Sequence, residues 1–201
     1  MKSVGLAFDG ERYLYPSRRT VVYGSRGMVA TGQPLAAQAG LEILKKGGNA
    51  IDAAVATAAC LTVVEPTANG IGGDSFSLVW AGDKLYGLNA SGFSPKAADP
   101  SVLTGAGLKE MPKYGWHTVT VPGAPSGWAA LSEKFGRLPL TEVMKPAIAY
   151  AAEGYPVSPT VSKLWKKALV NYGRECKGEE YRPWFETFCP DGRAPEAGEM
   201  C

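Results

Sequence analysis

The chain has 201 residues, of which 45% are hydrophobic, 20% charged and 10% aromatic, a composition that excludes wholesale disorder and gives enough length for one or two domains with a sizeable core. Lys plus Arg number 21 against 19 Asp plus Glu, a net charge of +2, so the chain lacks the broad basic field on which nucleic-acid binding depends. Small, weakly charged substrates remain open.

At the N-terminus, MKSVGLAFDGERYLYP is interrupted by Asp9, Glu11 and Arg12 and lacks the continuous apolar core of a secretory signal. The longest apolar stretch, Ala53 to Val64, is broken by Thr57 and Thr62 and falls short of the roughly 20 residues that cross a bilayer. A cytoplasmic protein without a membrane partner is expected. Four cysteines, Cys60, Cys176, Cys189 and Cys201, are spread too widely for a CxxC metal or redox spacing. With no export signal, no disulfides are expected, and Cys60 reads as a small core residue.

Arg18 to Thr31, RRTVVYGSRGMVAT, is β-branched and apolar and predicts a strand or a pair of short ones. A helix follows: Pro34 suits a first turn, Leu35, Gln38, Ala39, Glu42 and Ile43 keep helical spacing, and Gly47-Gly48 stops it. Asn49 with Asp52 three residues on predicts a capping box that starts a second helix, Ala50 to about Val64. That helix is apolar nearly all round, so it should be buried, and Asp52 reads as a tie for orphan backbone donors rather than a catalytic acid. Glu65-Pro66 ends it, and Asn69 to Gly73 makes a tight turn.

Ser75 to Trp80 and Lys84 to Asn89, joined by Ala81-Gly82-Asp83, predict a β-hairpin with Phe76, Leu78 and Trp80 on one face. A Gly-, Ser- and Pro-rich loop covers Ser91 to Lys113, followed by a short strand at Trp116 to Val121. Helices are expected near Ser126 to Phe135, over Leu140 to Glu153, and from Ser158 or Thr160 to about Tyr172. The tail, 173–201, reads as an ordered but loop-like excursion carrying the aromatic cluster Tyr181, Trp184, Phe185 and Phe188. No repeat period and no low-complexity linker divides the chain.

Three stretches together carry a resemblance. GMVATGQPLAAQAG, then ILKKGGNAIDAAVA, then NGIGGDSF resemble the start of the large subunit of the γ-glutamyltransferase family, and TVTVPGAPSGWAALSEKFGRLPLTEVMKPAIAYAAEGYPVS, Thr118 to Ser158, is similar to a later segment of it. The resemblance runs from 27 to 158 and makes 1–201 an N-terminal portion of that subunit. It implies an α+β fold, part of the four-layer αββα sandwich of N-terminal nucleophile hydrolases. It also implies a precursor that cleaves itself so that a threonine becomes the first residue of a small subunit. The threonine hydroxyl attacks an amide carbonyl with its own α-amino group as base, and the acyl group passes to water or an acceptor amine. The partners implied are a small-molecule amide, such as glutathione or another γ-glutamyl compound, and the small subunit; no metal or organic cofactor is implied.

Two departures from the family pattern bear on function. The chain contains no Thr-Thr pair, so the family's nucleophile motif is absent, no catalytic residue is expected within it, and the chain alone should be inactive. Secondly, glutathione-hydrolysing members hold the substrate α-carboxylate with an arginine just after the strand pair. Alignment puts Ala90 there in LNASGFSPKAA, and Phe93 at the alternative place three residues on. Asn89, Ser91 and Phe93 are the substrate-binding candidates, against ordinary Asx- or Ser-turn roles for the first two. Arg137 reads as a helix C-cap more readily than as a replacement cation. His117 has no visible acid or nucleophile partner. Asn69 to Gly73 follows a helix and precedes a strand, the reverse of a dinucleotide-binding loop. Set against the enzyme reading is a non-catalytic binding or structural protein that keeps the large-subunit scaffold.

Overall fold

The computed structural model describes residues 21–201, and residues 18–20 of the predicted first strand lie outside them. Its remainder, 21–31, is not a strand: the chain is extended, bends at Ser25-Arg26, and has no ladder partner among the described residues. β-Branched composition favours extended backbone, but a strand also needs a neighbour for its N–H and C=O groups.

Helix α1, Pro34–Lys45, starts at Gln33, whose side-chain oxygen accepts the Leu35 and Ala36 N–H groups, and it closes where the Gly48 N–H donates to the Ile43 carbonyl at 3.0 Å. Helix α2, Ala50–Val64, has the full capping box: Asn49 Oδ1 accepts from the Ile51 and Asp52 N–H groups, and the Asp52 carboxylate accepts from the Asn49 N–H at 2.8 Å. The two helices pack along their length, with Ala36, Ala39 and Ile43 against the alanine-rich α2.

Strands β1, Ser75–Ala81, and β2, Lys84–Ala90, form an antiparallel hairpin in which Phe76 pairs with Asn89, Leu78 with Gly87 and Trp80 with Leu85. Val79 is buried and Tyr86 and Leu88 half-buried on the face that meets α4, Ala124–Phe135. Tyr86 meets the Phe135 ring edge-on at 5.0 Å between centroids. Phe76, Leu78 and Trp80 do share one face as expected, but it is the open one: they are 65%, 79% and 65% exposed, with Leu85 beside them at 56%. Among the described residues, helices thus cover one side of the hairpin only.

The loop after β2 holds a short helix, α3, Pro100–Gly105, which the composition of that stretch did not indicate; it is capped by Asp99. The expected strand at Trp116 to Val121 is instead a 3-10 turn, Trp116–Thr118, running into extended chain. The single helix expected over Leu140 to Glu153 is two, α5, Leu140–Val143, and α6, Lys145–Glu153. Pro146 explains the break, because it has no N–H for the Glu142 carbonyl and its ring crowds that carbonyl. Helix α7, Pro159–Glu175, lies where a helix was expected, is capped by the Ser158 side chain, which accepts the Val161 N–H, and runs one turn further than predicted.

The tail is not loop-like throughout. A 3-10 turn, Glu179–Tyr181, leads into α8, Arg182–Phe188. A helix this short does not hold itself together in water, and packing supplies the difference: Trp184 meets Tyr172 edge-on at 4.7 Å, and Trp165 Nε1 donates to the Phe188 carbonyl at 2.9 Å. The last residues return to the body, where Tyr155 and Cys201 exchange two backbone hydrogen bonds of 3.1 Å and the Ser162 hydroxyl donates to the Pro195 carbonyl. The four cysteines are free, Cys60 and Cys189 being buried, and burial pushes the Cys60 thiol up to about 12.

Candidate functional site

The loop that follows β2 is held against the segment before α4. Thr120 Oγ1 donates to the Ser91 carbonyl at 3.2 Å, the Val121 N–H donates to the Phe93 carbonyl at 2.9 Å, and the Gly123 and Ala124 N–H groups both donate to the Gly73 carbonyl at 3.0 and 3.1 Å. Glycine permits this closeness. A Cβ on Gly92, which has φ +81°, would fall 1.8 Å from the Val121 carbonyl oxygen, and one on Gly123 would fall 2.1 Å from that of Ala90. No other residue fits either place without parting the segments. The glycine turn Asn69 to Gly73, the β2 loop and the start of α4 therefore form one continuous backbone cluster.

The candidate residues divide on this frame. Asn89 lies on the open face of the hairpin, and its Oδ1 accepts the Ser91 N–H at 3.0 Å in an Asx turn. Ser91 is half-buried, with its hydroxyl directed at the Gly92 carbonyl at 3.4 Å. Phe93 is 84% exposed and held only through its backbone. Ala90 faces the other way: it is buried beneath α4, where a Cβ on Gly127 would come within 2.8 Å of the Ala90 Cβ. Of the two aligned places for an arginine, only that of Phe93 opens to solvent. Both hold uncharged side chains.

Of the remaining candidates, Arg137 and Asp52 serve the scaffold. Arg137 donates its backbone N–H to both Asp52 oxygens at 3.1 Å and its guanidinium to the Gly47 carbonyl, which ties it to the turn between α1 and α2 and not to the β2 loop. Asp52 is 1% exposed and also accepts the Leu138 N–H at 3.3 Å. His117 is exposed in the 3-10 turn, and its side chain makes no hydrogen bond or ion pair among the described residues. Among the described residues, no three or more His, Cys, Asp or Glu side chains are grouped to hold a metal ion, and no helix is long and apolar enough to cross a membrane.

Sequence reasoning did not find the clamp that Thr120 to Ala124 places on the β2 loop. The glycines at 92 and 123 were its one local signal, and their meaning depends on residues about thirty positions apart.

The family model described as gamma-glutamyltranspeptidase matches residues 36–201. The chain belongs to the γ-glutamyltranspeptidase family. Among the relatives of this family member, the glutathione hydrolase-like YwrD proenzyme of Bacillus subtilis (strain 168) is 45% identical over 142 residues, which are 68% of this chain and 26% of that one. The acylase ACY 1 proenzyme of Pseudomonas sp. (strain V22) is 42% identical over 162 residues, 76% of this chain and 29% of that one. Among solved structures, the cephalosporin acylase from Bacillus halodurans superposes with a TM-score of 0.88 at 57% identity, covering 96% of this chain and 36% of that one. The chain thus spans about a quarter to a third of the length of the curated relatives it matches. Its mixed helix and sheet agrees with the α+β expectation.

Proposed function

We propose that this chain is the N-terminal part of the large subunit of an amide-cleaving, self-processing enzyme, with its threonine nucleophile beyond residue 201. The observation that carries the reading is the 57% identity to an acylase across 96% of the chain, and the proenzyme names of the relatives support the precursor form. The one-sided covering of the hairpin supports a four-layer αββα sandwich: helices cover one face, and the row Phe76, Leu78, Trp80 and Leu85 is what a second sheet buries. In the complete protein the threonine hydroxyl oxygen attacks the amide carbonyl carbon. The threonine's free α-amino group takes the hydroxyl proton and delivers it to the leaving amine, and water or an acceptor amine then opens the acyl ester and restores the hydroxyl.

Within that reaction the β2 loop helps to frame the substrate, with Asn89, Ser91 and Phe93 as contact residues. Because Ala90 is buried and Phe93 carries no charge, neither place aligned with the family's arginine offers a cation for the α-carboxylate of a γ-glutamyl group, and the preferred acyl group is a different one. The test is to express the complete polypeptide, follow its cleavage by mass spectrometry, and assay it on a γ-glutamyl anilide beside simple acyl anilides. Cleavage before a threonine with faster turnover of an uncharged acyl anilide is expected. Strong γ-glutamyl transfer would overturn the acyl assignment, and absence of any threonine-led small subunit would overturn the enzyme reading in favour of a non-catalytic scaffold.

A further inference from the structure

Six aromatic side chains from three separate segments surround a cavity of about 460 Å³: Tyr114 and Trp116 before and within the 3-10 turn, Tyr172 in α7, Tyr181 in the second 3-10 turn, and Trp184 and Phe185 in α8. That volume lies within the roughly 300–1,000 Å³ of small-molecule sites. The walls hold one another in place. Trp116 stacks on Tyr181 at 5.9 Å and 15°, Tyr114 meets Tyr172 edge-on at 5.9 Å and 76°, and Tyr172 meets Trp184 edge-on at 4.7 Å and 83°. These are favourable ring geometries that need no ligand to form. The charged side chains at the cavity, Lys113 and Glu180, are exposed and of opposite sign, so they present no net charge to an ion, whereas the lining presents ring faces and edges.

The cavity adjoins the β2 loop. Thr118 and Val119 line it, and the next two residues, Thr120 and Val121, bond the carbonyls of Ser91 and Phe93. Two residues of extended chain span no more than about 7 Å.

We propose that this cavity binds a planar aromatic ring, carried in the complete protein on the acyl group of the amide substrate, as in a phenylacetyl amide. The inference rests on the amide-hydrolase reading above and gives it a substrate class. An uncharged ring suits a site where both places aligned with the family's arginine, Ala90 and Phe93, carry no charge, and the stacked and edge-on walls offer it both faces and edges.

The experiment titrates the complete polypeptide with phenylacetate and, as control, acetate, reading tryptophan fluorescence, and assays it on phenylacetyl and acetyl anilides. Saturable binding of phenylacetate and not of acetate is expected. Trp184→Ala and Trp116→Ala should each weaken it about tenfold, the scale of one lost ring contact, and lower kcat/KM for the phenylacetyl anilide about tenfold relative to the acetyl one. Trp116 is exposed, so its variant keeps the test decisive if the Trp184 variant fails to melt cooperatively. Phenylacetate binding that the variants weaken, with no cleavage of any anilide, supports the ring site and overturns the hydrolase reading. Cleavage of both anilides without phenylacetate binding, and with an acyl preference that neither variant alters, overturns the ring site and leaves the hydrolase reading intact.

Discussion

Asp52 shows how one carboxylate can be structural in a family of enzymes. It is fully buried and accepts backbone N–H groups from Asn49 at 2.8 Å, Arg137 at 3.1 Å and Leu138 at 3.3 Å, so it caps α2 and at the same time fastens the turn after α4 to it. Asp52→Asn keeps the shape but points an NH2 group at N–H donors. Leaving such groups unmatched in the interior costs about 3 kcal/mol, and a urea titration should show that loss in the midpoint with an unchanged slope. A shift below about 0.5 kcal/mol would mean that water reaches the carboxylate. The capping half of this role was legible in the N-A-I-D spacing. The Arg137 and Leu138 bonds were not, because they join residues 85 and 86 positions apart.

Among the elements, the C-terminal return depends on a polar clasp. Arg193 grips both Glu199 oxygens at 2.8 Å, and the Glu196 N–H donates to the same carboxylate. Hydrogen bonding from Arg193 first, then from the Glu196 backbone, pulls the Glu199 carboxyl down to about 2. The folded value lies below the ordinary glutamate value of about 4.3, so the clasp contributes fully above that value, and its contribution falls as pH drops toward about 2. Thermal melts of the wild-type chain and Glu199→Gln should therefore differ most near pH 7 and converge as pH approaches 2. The difference should also shrink with added salt, because the pair is exposed. A gap that widens on acidification would overturn this assignment. Helices α1, α2, α4 and α7 could be read from caps, periodicity and glycine stops. Helix α8 could not, since its stability comes from Trp165 and Tyr172, which belong to another helix.

For the whole molecule, the open hairpin face is the controlling feature. Phe76, Leu78, Trp80 and Leu85 form an apolar row across both strands, and contiguous apolar surface of this kind drives association. Size-exclusion chromatography with light scattering should find the 201-residue chain self-associated at micromolar concentration. Leu78→Lys combined with Trp80→Lys should shift it toward monomer, because both side chains point away from α4 and their replacement leaves the core packing intact. A monodisperse, cooperatively melting wild-type monomer would count against this.

By itself the sequence determined the hairpin, the long capped helices, the buried character of α2 and the family. Each of these is written in local spacing: caps, stops, the two- and 3.6-residue periods, and motifs that repeat a known order. The tertiary structure alone decided that the Phe76 row faces outward and that Ala90 lies inward beneath Gly127 while Phe93 stands in solvent. It also decided that Tyr114 and Trp116 meet the rings of α7 and α8 around one cavity. The physical reason is common to all three. A period of two names the residues that share a face but not which face is covered, and a ring or a glycine acquires its role from a partner that the chain supplies dozens of residues away.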